Sequence, residues 1–190
     1  MGGREISAIV MLGILLTEAQ AHEAPEAEAS AHHHVLHLGV MGTALGAATG
    51  DAWFAALGGG LFATWIAVPA RFELELSAGA LATEGGVELS QDILGKIPFH
   101  LRPWLHPFIA LGPTVAEYIV GGEAPGAAGR HGWGIGGAVS VGADLWLNRR
   151  FAFVVEINYN LLYRWLSADG LVAGALVNEI GGSAGALVAF

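Results

Sequence analysis

Cysteine is absent from all 190 positions. That removes disulfide staples, Cys-ligated zinc, thiol catalysis and a lipoprotein acylation site together. Charge is also scarce: Asp, Glu, Lys and Arg make up 13% of the chain, against about 25% in a typical soluble domain. Basic residues are the rarest of these, 8 Lys and Arg facing 17 Asp and Glu, for a net charge of −9. A nucleic-acid partner needs a clustered basic surface, so none is expected. What the chain has instead is 54% hydrophobic residues and 29 glycines, a balance that suits a protein whose outside faces lipid.

The N-terminus reads as an export signal. Arg4 precedes an apolar run over 6–16, and Ala19-Gln20-Ala21 supplies a small-x-small cleavage site. The run is about half the roughly 20 residues that a spanning helix needs. Residues 1–21 are therefore expected to be a signal peptide. Residues 22–33, within HEAPEAEASAHHH, are polar and aperiodic, which suits a flexible His/Glu-rich periplasmic lead-in.

From residue 34 onward the dominant signal is alternation at period two, the mark of strands with one apolar and one polar face. Over 151–164 the odd positions Phe151, Phe153, Val155, Ile157, Tyr159, Leu161 and Tyr163 alternate with Ala152, Val154, Glu156, Asn158, Asn160, Leu162 and Arg164. Trp133, Ile135, Val139, Val141 and Leu145 alternate with glycine, Ala138, Ser140 and Asp144. Asn148-Arg149-Arg150 makes a tight turn between the two runs. Phe72, Leu74 and Leu76 oppose Glu73, Glu75 and Ser77; Val87, Leu89, Ile93 and Ile97 oppose Glu88, Ser90, Asp92 and Lys96; Ile180, Ala184, Ala186, Val188 and Phe190 oppose Glu179, Ser183 and Gly185. Three further segments, near 34–47, 52–67 and 105–119, are apolar on both faces. Their strand faces are left open by the pattern.

These segments predict an all-β chain, an eight-stranded antiparallel transmembrane β-barrel over 34–190. Short turns are expected near 68–70, 101–104 and 148–150 and longer loops near 121–130 and 166–176. Phe54, Trp65, Trp104, Phe108, Tyr118, Trp133, Tyr163 and Trp165 lie mostly near strand ends, where aromatic girdles belong; parity points Trp146 inward. A helical alternative exists, because 52–70 carries no charge and 104–122 only Glu117. Helices would scatter Glu73/Glu75, Glu88/Asp92/Lys96 and Glu156/Asn158/Asn160 around their circumference, whereas strands put each set on one side.

RPWLHPFIALGP at 102–113, GADLWLNRRF at 142–151, EINY at 156–159 and the terminal Phe190 resemble the small outer-membrane β-barrels of Gram-negative bacteria, the superfamily of the OmpA transmembrane domain. The resemblance covers nearly all of 34–190 and implies a cell outer membrane location with outer-membrane lipid as surroundings. It also implies insertion by the outer-membrane assembly machinery through the last strand, with Ile180, Ala184, Ala186, Val188 and Phe190 as the assembly signal. The chain ends with that strand, so no peptidoglycan-binding domain is expected to follow.

Parity places Glu73, Glu75, Glu88, Asp92, Lys96, Asp144, Glu156, Asn158 and Glu179 in the lumen, with Arg164 near one end. Such a set is either a polar network that fixes the barrel or an acidic, cation-binding pathway. Lys96 is expected to pair with Glu88, Glu156 or Asp144. His32, His33, His34 and His37 could hold a weak divalent metal, or belong to a solvated tail. Ser167, Asp169 and His131 are the only rim candidates for an enzyme's set; no local pattern matches one, and they are expected to be ordinary loop residues. The glycine clusters at 58–60 and 132–137 do not sit between a strand and a helix, so no cofactor is expected. The sequence thus predicts a non-catalytic outer-membrane barrel with an envelope-structural or surface-interaction role. A narrow channel is the first alternative and a lipid-modifying barrel enzyme the second.

Overall fold

The computed structural model describes residues 36–49, 52–83, 85–120, 130–168 and 171–190. The signal peptide, the lead-in and His32, His33 and His34 lie outside them. Eight strands follow in order: β1 (Leu36–Thr49), β2 (Ala52–Val68), β3 (Phe72–Thr83), β4 (Gly86–Pro98), β5 (Leu105–Val120), β6 (Arg130–Trp146), β7 (Phe151–Ala168) and β8 (Leu171–Ala189). Each pairs antiparallel with its sequence neighbours, and β1 closes onto β8 from His37↔Ala189 to Ala48↔Asn178. Closure removes both sheet edges. In hydrocarbon an unpaired backbone group costs several kcal/mol, so an open sheet could not survive there.

The weakly patterned segments are strands too, β1, β2 and β5, and the structure fixes their faces. Leu57, Leu61 and Trp65 of β2 and Ile109, Leu111 and Val115 of β5 point outward, while Phe62, Thr64, Phe108, Thr114 and Tyr118 are buried inside. This corrects the girdle assignment. Trp65, Trp104, Trp133 and Tyr163 lie exposed on the outside, but Phe54, Phe108 and Tyr118 belong to the interior. The outward belt of Leu, Val, Ile and Phe is what lipid requires. Asn178, which also faces out, is hydrogen-bonded by the Tyr159 hydroxyl at 2.6 Å, so its amide does not meet lipid alone.

Inside, large aromatic rings are accommodated by glycines across the ladder. Phe62 is the register partner of Gly39 and Phe108 that of Gly142. A Cβ on Gly142 would stand 2.6 Å from the Phe108 ring, so glycine at this position is what lets the ring lie flat against the wall.

At one end the connections are ordered by local chemistry. Val68-Pro69-Ala70-Arg71 closes with the Arg71 amide donating to the Val68 carbonyl at 3.1 Å. Ala70 sits at φ 59°, in the second central position of a turn that favours glycine there. In the 147–150 turn, the Asn148 side-chain oxygen accepts from the Arg150 and Phe151 amides at 2.8 and 3.1 Å, the usual Asn device for a tight reversal.

The opposite end departs from expectation. β7 runs to Ala168 and β8 starts at Leu171, with register pairs continuing to Ala168↔Leu171. The expected long loop over 166–176 is instead a two-residue connection. Small residues between 168 and 175 mute the alternation there, and pairing along the ladder carries the strands on regardless. Of the longer loops predicted, only 121–129 falls between strands, and it lies outside the described residues.

Candidate functional site

The lumen is built from inward side chains in two charged layers with a polar zone between them. Near the end with the 69–71 and 147–150 turns, Lys96 of β4 is 1% exposed. Its ammonium donates to Asp144 Oδ2 of β6 at 2.9 Å and lies 3.7 Å from Glu73 and 4.0 Å from Glu75, both of β3. Nζ also stands 4.0 Å from the centre of the Phe108 ring on β5, a favourable cation–π distance. Thr64 donates to Glu75 at 3.1 Å. Three buried carboxylates in a narrow space would be expensive unless a cation sat among them, and Lys96 occupies that position.

The second layer lies toward the other end. Arg164 of β7 uses Nη2 to donate to Glu88 Oε2 of β4 at 3.0 Å and to Glu179 Oε1 of β8 at 2.7 Å. Its guanidinium stacks on Tyr118 with Cζ 3.5 Å from the ring centre, and Phe54 lies 5.2 Å away. A planar, weakly hydrated cation is suited to being held between carboxylates and aromatic faces at once.

Between the layers, Glu156 accepts from Ser140 at 2.7 Å and from Asn158 at 3.2 Å, and Asn158 also donates to Ser183 at 3.0 Å. Ser77 donates to Asp92 at 2.8 Å and Asn160 to Glu179 at 3.1 Å. These groups surround a cavity of about 70 Å³, room for a small cluster of ordered waters bridging them.

All nine residues assigned to the lumen by parity thus point inward. Lys96 gathers Glu73, Glu75 and Asp144; Arg164 gathers Glu88 and Glu179; Asp92, Glu156 and Asn158 lie between. Of the three partners expected for Lys96, only Asp144 is one. Glu88 stands eight residues up the same strand, about 27 Å at strand rise, and pairs with Arg164; Glu156 is held by Ser140 and Asn158. The seating of Arg164 on Tyr118 was missed because β5 is apolar on both faces, so nothing in its pattern announced an inward aromatic.

The other expected sites are dispersed. Ile180, Ala184, Ala186 and Phe190 are exposed on the outer face and Val188 is half-buried beside them. His37 is buried inside β1, its ring edge-on to Trp146 at 5.4 Å. No group of three or more His, Cys, Asp or Glu among the described residues is arranged to hold a metal. At the rim, the exposed His131 has Nδ1 3.3 Å from Glu117 Oε1, and its register partner on β7 is Ser167. Asp169 lies outside the described residues.

A closed antiparallel barrel with an apolar belt outside and a polar interior is suited to a bilayer, and its fold is that of the small eight-stranded outer-membrane β-barrels. No protein-family profile matches the sequence, and no curated protein does. Among solved structures, the chain is similar to neisserial surface protein A, with TM-score 0.63 and 12% identity over 82% of this chain and 97% of that one. It is similar to the outer membrane protein OprG of Pseudomonas aeruginosa at TM-score 0.58 and 16% identity, covering 84% and 97%. Ail, the attachment invasion locus protein of Yersinia pestis, matches at TM-score 0.53 and 12% identity, covering 82% and 97%. At these identities the likeness is one of fold. What the chain shares with them is the closed eight-stranded barrel.

Proposed function

We propose that this is a non-catalytic, non-conducting barrel that serves the outer membrane as a structural and surface-contact element. The observation that carries this reading is the double closure of the lumen. Lys96 with its three carboxylates fills one level and Arg164 with Glu88, Glu179 and Tyr118 another, leaving about 70 Å³ between. A network tied across so many strands rigidifies the barrel. Surface contact draws support from the shared fold with Ail, and the strand rims with the nine-residue connection 121–129 are where it would occur. Single-channel recording in planar bilayers tests the reading: folded protein is expected to give no stable conductance. Steady cation-selective steps would favour the alternative, a narrow cation pathway, which the excess of lumen carboxylates over Lys96 and Arg164 supports.

The lipid-modifying alternative draws on one juxtaposition, His131 between Glu117 and the register position of Ser167. His131→Ala and Ser167→Ala are expected to leave the lipid A of the host membrane unchanged by mass spectrometry. A lost or gained acyl chain that depends on either residue would reverse the non-catalytic reading.

A further inference from the structure

We infer that the outer wall of the barrel carries a site for one anionic phospholipid of the inner leaflet, its phosphate on Arg149 and Arg150 and an acyl chain in the groove above Ala186. The inference is independent of whether the lumen conducts.

The groove follows from the register. Ala186 is the partner of Phe153 on β7 and of Val40 on β1, and Val40 is the partner of Leu61 on β2. A one-carbon side chain therefore lies between large ones, with Phe153 as one wall and Val40 with Leu61 as the other. All of these face outward, Val40 57% and Leu61 65% exposed. The resulting open groove has a volume of about 650 Å³ and extends to Leu147, Asn148 and Phe151 at the turn. Its lining is almost wholly apolar, which suits an alkyl chain and nothing polar.

Charge says which lipid. Arg149 and Arg150 are exposed on the turn between Asn148 and Phe151, two residues that line the groove's end. The turn is pinned by Asn148 and by the Arg150 carbonyl accepting from the Ala189 amide at 2.8 Å, so the two guanidinium groups are presented from a fixed backbone. In a chain of net charge −9, the exposed Lys, Arg, Asp and Glu side chains at this end, among the described residues, are Arg71, Arg102, Arg149 and Arg150. Arg149 and Arg150 adjoin the groove. Arginine matches phosphate oxygens with paired donors. The one nine-residue connection, 121–129, joins strands at the opposite end; the longer loops of outer-membrane barrels are extracellular, so this end faces the periplasm and the phosphate within reach belongs to the inner leaflet.

Native mass spectrometry of the purified folded protein, titrated with phosphatidylglycerol or phosphatidylcholine of the same acyl chains, tests the assignment. One phosphatidylglycerol is expected to be retained in preference to phosphatidylcholine. Arg149→Gln/Arg150→Gln should weaken that retention about tenfold, and Ala186→Phe should weaken it with both arginines present. Arg71→Gln/Arg102→Gln should leave it within about twofold, since those residues lie off the groove. Folding of each variant is read from heat-modifiable gel mobility. Equal retention of both lipids overturns the proposal, as does unchanged phosphatidylglycerol binding in both the arginine and the groove variants. Equal loss in the Arg71/Arg102 variant would reduce the site to a diffuse cationic collar. Lipid A displacing phosphatidylglycerol at equal concentration would contradict the inner-leaflet assignment.

Discussion

Lys96→Met is expected to lower the stability of the folded barrel by about 3–5 kcal/mol, the usual consequence of removing one member of a buried charge cluster. Methionine keeps most of the volume and can still pack on Phe108, so the loss is chiefly electrostatic. Asp144, Glu73 and Glu75 would remain buried in the lumen without the cation they share. Neutralising the partners should then help rather than harm: Asp144→Asn with Glu75→Gln in the Lys96→Met background is expected to recover a large part of the deficit. Urea unfolding in detergent micelles, followed through the emission of the six tryptophans, reads both effects. A loss below about 1 kcal/mol, the size typical of exposed pairs, would mean that water screens the cluster.

Arg164→Met attacks the other layer and carries a second consequence. Glu88 and Glu179 both accept from the same guanidinium nitrogen, so its removal leaves two carboxylates facing each other beside Tyr118. Like charges at that separation repel strongly in a low dielectric. A loss of about 3 kcal/mol or more is expected, and the pair should swing apart. The outer-end closure then opens onto a cavity lined by Glu75, Asp92 and Glu156. Brief cation-selective conductance events, absent from the parent protein, are expected in planar bilayers. Glu88→Gln with Glu179→Gln added to Arg164→Met should restore stability by removing the repulsion. A silent Arg164→Met barrel of parental stability would show that this layer neither closes the lumen nor holds the wall.

The sequence made the barrel legible wherever one face is polar. Glu73 and Glu75 on β3, Glu88, Asp92 and Lys96 on β4, and Glu156 and Asn158 on β7 each declare an inside, and alternation does the rest. β2 and β5 stayed ambiguous because their lumen residues are Phe62, Phe108 and Tyr118, which hydropathy cannot tell from lipid-facing ones. Phe108 receives Lys96 and Tyr118 receives Arg164, so the aromatic half of the site was hidden with them. Ion pairs were less legible than faces for another reason. Arg164 and Glu88 are 76 positions apart and meet only once the barrel closes with a fixed stagger. Lys96 and Asp144, on β4 and β6, were within reach of a guess because one strand separates them. A loop is expected over 166–176 because Ala168, Gly170, Ala173, Gly174 and Ala175 carry no alternation in the sequence, whereas backbone pairing continues to Ala168↔Leu171 and most of that length is strand.

The absence of cysteine makes the central claim, a lumen closed at both levels, open to one direct measurement. Ser90 lines the cavity between the two layers, and Ser90→Cys would place a single thiol there. Its rate of modification by a charged methanethiosulfonate in the folded, detergent-solubilised protein is to be compared with the rate in the urea-unfolded chain. A closed lumen predicts modification slower by orders of magnitude when folded, because the reagent must wait for the barrel to open, and faster modification once Arg164→Met is added. Modification of the folded protein as fast as of the unfolded chain would contradict the closure, and with it the non-conducting function proposed for this barrel.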